Sequence, residues 1–158
     1  AVLDLLPSEA LIRDCLANLV VEGRFQQLSS KPMVYTDVAH NAESARYLAK
    51  KLANLQDQGF KVHALVAMLA DKDKVAVLNE VSPVVDAWCL AGLNCFRGDK
   101  VENLAKSMDN VHTSAPIEKY QTVADALDGV LPQLDEKTVL IIFGSFLTVA
   151  AAINYWKK

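Results

Sequence analysis

The sequence holds 158 residues, 52% hydrophobic and 22% charged, with a formal net charge of −3. A chain of this length buries roughly 70% of its unfolded surface, enough for one core that needs neither disulfides nor a structural metal. Scattered lysines and arginines and an aromatic content of 7% offer no basic stripe and few stacking platforms, so nucleic acid is not the expected partner.

Cys15, Cys89 and Cys95 sit among apolar neighbours without a CxxC pair. That odd count suits neither a disulfide framework nor a zinc site and points to a reducing cytoplasm. Apolar runs such as 139–143 are strand-sized, whereas a membrane-spanning helix needs about 20 apolar residues, so no membrane association is expected. The opening AVLDLLPSEA has no basic region and no small-residue cleavage site, so it does not read as a signal peptide. The chain reads as a piece of a longer polypeptide.

In chain order, Leu11, Cys15, Leu16 and Leu19 recur at helical spacing behind Ser8 as N-cap, and Gly23 stops that helix. Two extended stretches, 24–28 and 33–37, flank the turn-like Ser29-Ser30-Lys31-Pro32. Ala45, Leu48, Ala49, Leu52 and Leu55 mark a helix to about Asp57, which Gly59 terminates. A strand over 61–67 leads to a helix bearing Val75, Leu78 and Val81. A strand over 84–90 leads to a helix with Val101, Leu104, Ala105 and Met108, opened by Asp99 and Glu102 at capping-box spacing. A short strand over 110–114 precedes a helix with Tyr120, Val123, Ala124, Leu127 and Val130. The last strand, 138–143, is continuously apolar and runs through Gly144-Ser145 into a helix with Val149, Ala150, Ile153 and Trp156.

Near-continuous apolar strands alternating with amphipathic helices predict an α/β fold: a Rossmann-like, doubly wound, mostly parallel sheet of about six strands with helices on both faces. Ligands of such sheets bind beyond the carboxyl ends of the strands, which directs attention to the loops after Asp37, Ala67, Leu90, Ser114 and Phe143. In Asp37-Val38-Ala39-His40-Asn41, the carboxylate can accept ribose hydroxyls and the histidine can meet a phosphate or an amine. A helix opened at Asn41 favours an anion. The same residues are also ordinary strand-exit and N-cap types, and the residues alone leave both readings open. Arg24 suits a phosphate, an adenine or a surface ion pair. In Leu69-Ala70-Asp71-Lys72-Asp73 the acids suit helix capping better than a site. Gly144-Ser145 lacks GxSxG spacing and is no nucleophile elbow. His63 and His112 fall in predicted strands and read as structural. HExxH, EF-hand and Cys/His clusters are missing, so no metal held wholly by this chain is expected, and neither GxxxxGK[ST] nor GxGxxG occurs.

Taken in order, GRFQ (23–26), DVAHN (37–41), ARYLA (45–49), MLADKD (68–73), FRG (96–98) and FGSF-x-TVA (143–150) resemble one family. It is the carboxy-terminal domain of bacterial bifunctional dihydrofolate synthase/folylpolyglutamate synthase, within the Mur ligase superfamily. The resemblance implies a three-domain ATP-dependent ligase in which residues 1–22 are a linker helix or remnant of the central domain and 23–158 the C-terminal ligase domain. It implies ATP and Mg2+ as cofactors, the Mg2+ held mainly by N-terminal and central domains that also carry the phosphate loop and a carbamylated lysine. ATP phosphorylates a carboxylate of dihydropteroate or of a folate glutamate, and the amine of L-glutamate then attacks the acyl phosphate. Carried over by position, Asp37 binds the ribose, Arg24 contacts the nucleotide and assists phosphoryl transfer, and His40 lies beside nucleotide and glutamate. Asn41 shapes that loop, while Ser145, Lys72 and Asp73 fall near the glutamate and the cleft. The implied protein is a cytoplasmic monomer whose partner is the N-terminal ATPase domain of the same polypeptide; the isolated chain is expected to be inactive. An apolar stripe on the first helix, left without its packing partner, is expected to drive weak association or fold back on the sheet.

The chain departs from the family pattern at Ala42 and Cys95, where proline is common, and at Leu147, often histidine. The first two affect loop stiffness; the third removes a histidine from the glutamate side. A stand-alone α/β ligand-binding or interaction module is the alternative reading. A cell-wall amino-acid ligase domain fits less well, since no DNPR-like motif is present.

Overall fold

The computed structural model describes Ser8 and residues 23–157, so the predicted first helix, with Cys15, lies outside the described residues. Six strands form one sheet in the order β1-β2-β6-β3-β4-β5: β1 Gln26–Ser30, β2 Met33–Asp37, β3 Lys61–Val66, β4 Ala87–Ala91, β5 Ile117–Tyr120 and β6 Thr138–Phe143. Only β1, joined to β2 as a hairpin, runs antiparallel. The described helices are α1 Ala42–Asp57, α2 Lys74–Val81, α3 Val101–Met108, α4 Val123–Val130 and α5 Phe146–Trp156.

Chain order and crossover handedness explain the layers. From β2 to β5 the chain advances in one direction across the sheet, and right-handed crossovers put α1, α2 and α3 on one face. The step from β5 back to β6 reverses direction and sends α4 to the other face, where α5 joins it. The two cores agree: Leu48, Leu52, Leu78 and Leu104 pack on Ile141 and Phe143, while Leu127, Val130 and Ala152 pack on Leu140 and Ile142. Alternate residues of β6 therefore serve opposite faces, and all six are buried. That two-sided burial is why 138–143 reads as continuously apolar.

Helix boundaries follow local chemistry. Asn41 caps α1: its side chain accepts from the Ser44 N–H at 2.9 Å, and Ser44 Oγ accepts in return from the Asn41 N–H at 3.3 Å. Ser145 caps α5 through the Thr148 N–H at 3.0 Å. Thr148 Oγ1 in turn donates to the Ala67 carbonyl at 2.6 Å, tying the start of α5 to the end of β3. Gly144, at φ +123°, lets the chain pass so close that a Cβ there would lie 2.3 Å from the Ala67 oxygen.

Several expectations are corrected. β1 occupies Gln26–Ser30 rather than 24–28, because Ser29 and Ser30 complete the ladder opposite Val34 and Met33 and leave the turn to Lys31-Pro32, joined by a cis peptide. β4 begins at Ala87, since Ser82–Val84 forms a 3-10 turn with proline at its start. The fifth strand is Ile117–Tyr120, not 110–114; as an edge strand it is mostly exposed and shows no apolar alternation. His112 thus lies in a loop, where its carbonyl accepts from Ser82 Oγ, and Tyr120 belongs to β5, not to the helix after it. The expected Asp99/Glu102 capping box does not form: Lys100 is the N-cap of α3, without a side-chain bond. Asp99 is instead 5% exposed and its carboxylate lies 2.8 Å from Lys74 Nζ. Among the described residues no helix is long and apolar enough to cross a membrane.

Gly144→Ala combines a left-handed φ with a backbone collision. It is expected to lower stability by about 2–4 kcal/mol, read as a reduced urea midpoint with an unchanged m value.

Candidate functional site

Two neighbouring strands, β2 and β6, send their following helices to opposite faces of the sheet, which opens a crevice at their carboxyl ends. A cleft of about 450 Å³ lies at that end of β2, bordered by Arg24, Asp37, His40, Asn41, Tyr47 and Lys51.

Asp37, the last residue of β2, fastens the chain segment in front of β1. Its Oδ2 accepts from the Phe25 N–H at 2.9 Å and its Oδ1 from the Ala39 N–H at 2.8 Å. Beside it the Val38 N–H donates to the Gly23 carbonyl at 2.7 Å. Residues 23–25 are thereby held over the cleft with Phe25 at φ +45°. The Phe25 ring stacks on Tyr35 at 4.6 Å and lies 4.8 Å below Lys51 Nζ. Burial pushes the Asp37 carboxyl above its ordinary value; the two N–H bonds and the charges of Lys51 and Arg24 offset this only in part. Each oxygen keeps acceptor capacity after taking one N–H, so a ligand hydroxyl donating here relieves a carboxylate short of donors.

His40 donates through Nδ1 to the Val38 carbonyl at 2.8 Å, because a carbonyl can only accept. In the neutral ring Nε2 is then left as an acceptor. Asn41 spends its side-chain oxygen on Ser44 and acts by shaping the start of α1. The N-terminus of that helix and the cations Arg24 and Lys51 give the cleft an anion-favouring side, with Asp37 and Glu43 as the opposing charges.

The structure therefore brings Arg24, Asp37, His40 and Asn41 together in one cleft and leaves Lys72, Asp73 and Ser145 out of its lining. Lys72 stands 3.7 Å from Asp71. Asp73 caps α2 through the Ala76 N–H at 3.0 Å, the role its position favoured. Ser145 is 3% exposed, and both its donor and its cap are committed to Thr148. Sequence reasoning missed Ser44, Tyr47 and Lys51. Their signal was available, since positions 41, 44, 47 or 48 and 51 follow the helical period from the N-cap. Among the described residues no group of three or more His, Cys, Asp or Glu side chains could hold a metal ion.

A doubly wound sheet with a polar, cation-bearing cleft at the carboxyl end of β2 places the chain in the class of α/β domains whose ligands are met beyond the strand ends. Residues 23–146 match the family described as Mur ligase, glutamate ligase domain, and the chain belongs to that family. It is 36% identical over 143 residues to the dihydrofolate synthase/folylpolyglutamate synthase of Escherichia coli, covering 90% of this chain and 32% of that protein. A solved bifunctional folylpolyglutamate synthase/dihydrofolate synthase with Mn, AMPPNP and L-glutamate bound superposes with a TM-score of 0.82 at 36% identity, over 98% of this chain and 36% of the other. The E. coli protein FolC in complex with DHPP and ADP superposes with a TM-score of 0.82 at 35% identity, over 96% and 35%. The chain thus spans about a third of the length of the curated relatives it matches.

Removing the Asp37 carboxylate orphans the Phe25 and Ala39 N–H groups. Asp37→Ala is therefore expected to destabilise the chain by about 1–3 kcal/mol in urea denaturation, apart from any effect on a ligand. The pH dependence carries two opposite signs. For Asp99 burial opposes the charge, but Lys74, Asn103 and the Lys100 N–H hold its pKa below the ordinary 3.8. Its stabilisation is present above 3.8 and is lost as pH falls through the lowered value. Asp37, raised, works against folding as pH climbs through its own value. Asp99→Asn is expected to flatten the loss of stability on acidification below pH 3.8.

Proposed function

We propose that this chain is the C-terminal domain of a cytoplasmic, ATP-dependent amide-forming ligase that adds L-glutamate to dihydropteroate, to a folate glutamate, or to both. In this reading residues 23–158 form the ligase domain, 1–22 belong to the linker or the end of the central domain, and the parent polypeptide works as a monomer. The observation that carries it is the convergence of Arg24, Asp37, His40 and Asn41 in one cleft at the switch point, in a chain of the glutamate ligase domain family.

The reaction has two balanced steps. A carboxylate oxygen of the acceptor takes the γ-phosphoryl group and ADP leaves; the glutamate amine then attacks the acyl carbon, a C–N bond forms, and phosphate departs as the amine loses a proton. A carboxylate is a poor electrophile, which is why activation precedes attack. Asp37 accepts from ribose hydroxyls and so fixes the nucleotide, and Arg24 places a permanent positive charge beside the phosphates, where charge builds during transfer. His40, held by Val38, turns its Nε2 acceptor toward the nucleotide and the incoming amine. Ser145, with Lys72 and Asp73, acts on the glutamate side by holding the loops after β6 and β3. Divalent-metal chemistry would help neutralise the phosphates when the ion is bound, held, as the family resemblance implies, mainly by the N-terminal and central domains.

The reading is tested with the full-length parent. Glutamate-dependent ATP hydrolysis is expected with dihydropteroate, with a reduced folate, or with both, and none from the 158-residue chain alone. Activity with neither acceptor would sink the ligase reading. In the active parent, Asp37→Ala is expected to raise the KM for ATP about tenfold, and Arg24→Ala to lower kcat about 100-fold.

A further inference from the structure

The loop between β4 and α3 is built to be rigid and carries a hydrophobic tip. Asp99 anchors it: the Asp99 N–H donates to the Met68 carbonyl at 3.1 Å, and its own carbonyl accepts from the Leu93 N–H at 3.0 Å. Its carboxylate takes the Lys100 N–H at 2.9 Å, the Asn103 amide at 2.8 Å and Lys74 at 2.8 Å. Lys74 Nζ also donates to the Ala70 carbonyl at 3.0 Å. Residues 97–98 then lie along 69–70, with the Ala70 N–H donating to the Arg97 carbonyl at 3.0 Å and Arg97 paired to Asp71 at 2.8 Å. Only glycine fits at 98, where a Cβ would sit 2.0 Å from the Leu93 oxygen.

At the tip of this braced loop Phe96 is 104% exposed, beside the exposed thiol of Cys95. A phenylalanine held wholly in water by a fixed loop forgoes its burial energy unless something covers it. Phe146 and Leu147, just beyond the carboxyl end of β6, are 63% and 46% exposed at the same edge of the sheet. Of the large exposed hydrophobics among the described residues, Phe96, Phe146 and Leu147 lie at this edge, while Tyr47 sits on α1 beside the first cleft and Ile117 at the start of β5.

Resting on the ligase reading, we propose that the Lys74–Asp99 ion pair is a clasp that presents Phe96 as an apolar anchor for the rest of the same polypeptide. The occupant follows from length: the chain spans about a third of its relatives, which leaves two thirds of such a protein to be met. A preformed anchor reduces the ordering cost of each docking event, and an exposed aromatic that enters a pocket carries most of a contact's energy.

The test compares the 158-residue chain with the full-length parent, using N-ethylmaleimide as thiol probe and reading the labelled Cys95 peptide by mass spectrometry. Burial pushes the Cys89 thiol up to about 12, so it stays silent. Cys95 is expected to react freely in the 158-residue chain and at least fivefold more slowly in the parent with an ATP analogue and L-glutamate. Phe96→Ser is expected to leave the thermal midpoint of the chain unchanged, to lower parent kcat about tenfold and to abolish the Cys95 protection. Asp99→Asn is expected to weaken that protection while Phe96 remains. Equal Cys95 rates in chain and parent, or an unaltered kcat in Phe96→Ser, would overturn the proposal. So would a concentration-dependent dimer of the chain that Phe96→Ser dissolves, which would assign the face to a second copy. A parent without glutamate-dependent hydrolysis would defeat the ligase reading alone, because Cys95 protection is measured independently of turnover.

Discussion

The fold depends on its last strand filling the centre of the sheet. β6 lies between β2 and β3, all six of its residues are buried, and its two faces feed both cores. Until 138–143 is in place, β1 and β2 have no ladder to the rest of the sheet. Placing the final strand centrally also reverses the winding. Because β2 and β6 are neighbours whose helices depart to opposite faces, the crevice between their ends is a geometric consequence of the winding order. The close approach of Gly144 to Ala67 and the Thr148 bond to the same carbonyl lock that junction from the β3 side.

At the end of β2 one carboxylate organises the backbone on both sides of it. Asp37 spends one lone pair of each oxygen on the N–H groups of Phe25 and Ala39, which fixes the segment bearing Arg24 over the cleft. Its half-buried setting raises its pKa, so the group remains short of donors. A site prepared in this way favours ligand hydroxyls without a large rearrangement. His40 is organised similarly, with one ring nitrogen committed to Val38 so that the other has a defined role. Asn41 and Ser44 hold the first turn of α1 in place beneath both.

The opposite half of the same edge is governed by ion pairing rather than capping. Asp99 and Glu102 stand at capping-box spacing, yet Asp99 turns inward to Lys74, which comes from another helix. Removing either partner would leave an uncompensated buried charge, so the pair commits the loop to one conformation even where its net contribution to stability is modest. Phe96 stands exposed on the loop held in this way.

Much of this protein is legible in one dimension. The continuous apolar run 138–143 and the helical spacing of Leu48 and Leu52 depend on burial on one or two faces, and burial leaves a periodic trace in the sequence. The DVAHN run likewise announces a strand exit and an N-cap, because those roles are played by residues within four positions of one another. The edge strand Ile117–Tyr120 left no such trace, being exposed and defined only by its ladder to β4. Nor could spacing show that Asp99 prefers Lys74, that Thr148 reaches back to the Ala67 carbonyl, or that Lys51 lies over the Phe25 ring. Each of those choices is a competition between a local partner and a distant one. The sequence by itself determined the helices, the buried strands and the DVAHN cluster; only the packed structure decided the edge strand and the competitions, because the distant partners exist only once the sheet has closed around β6.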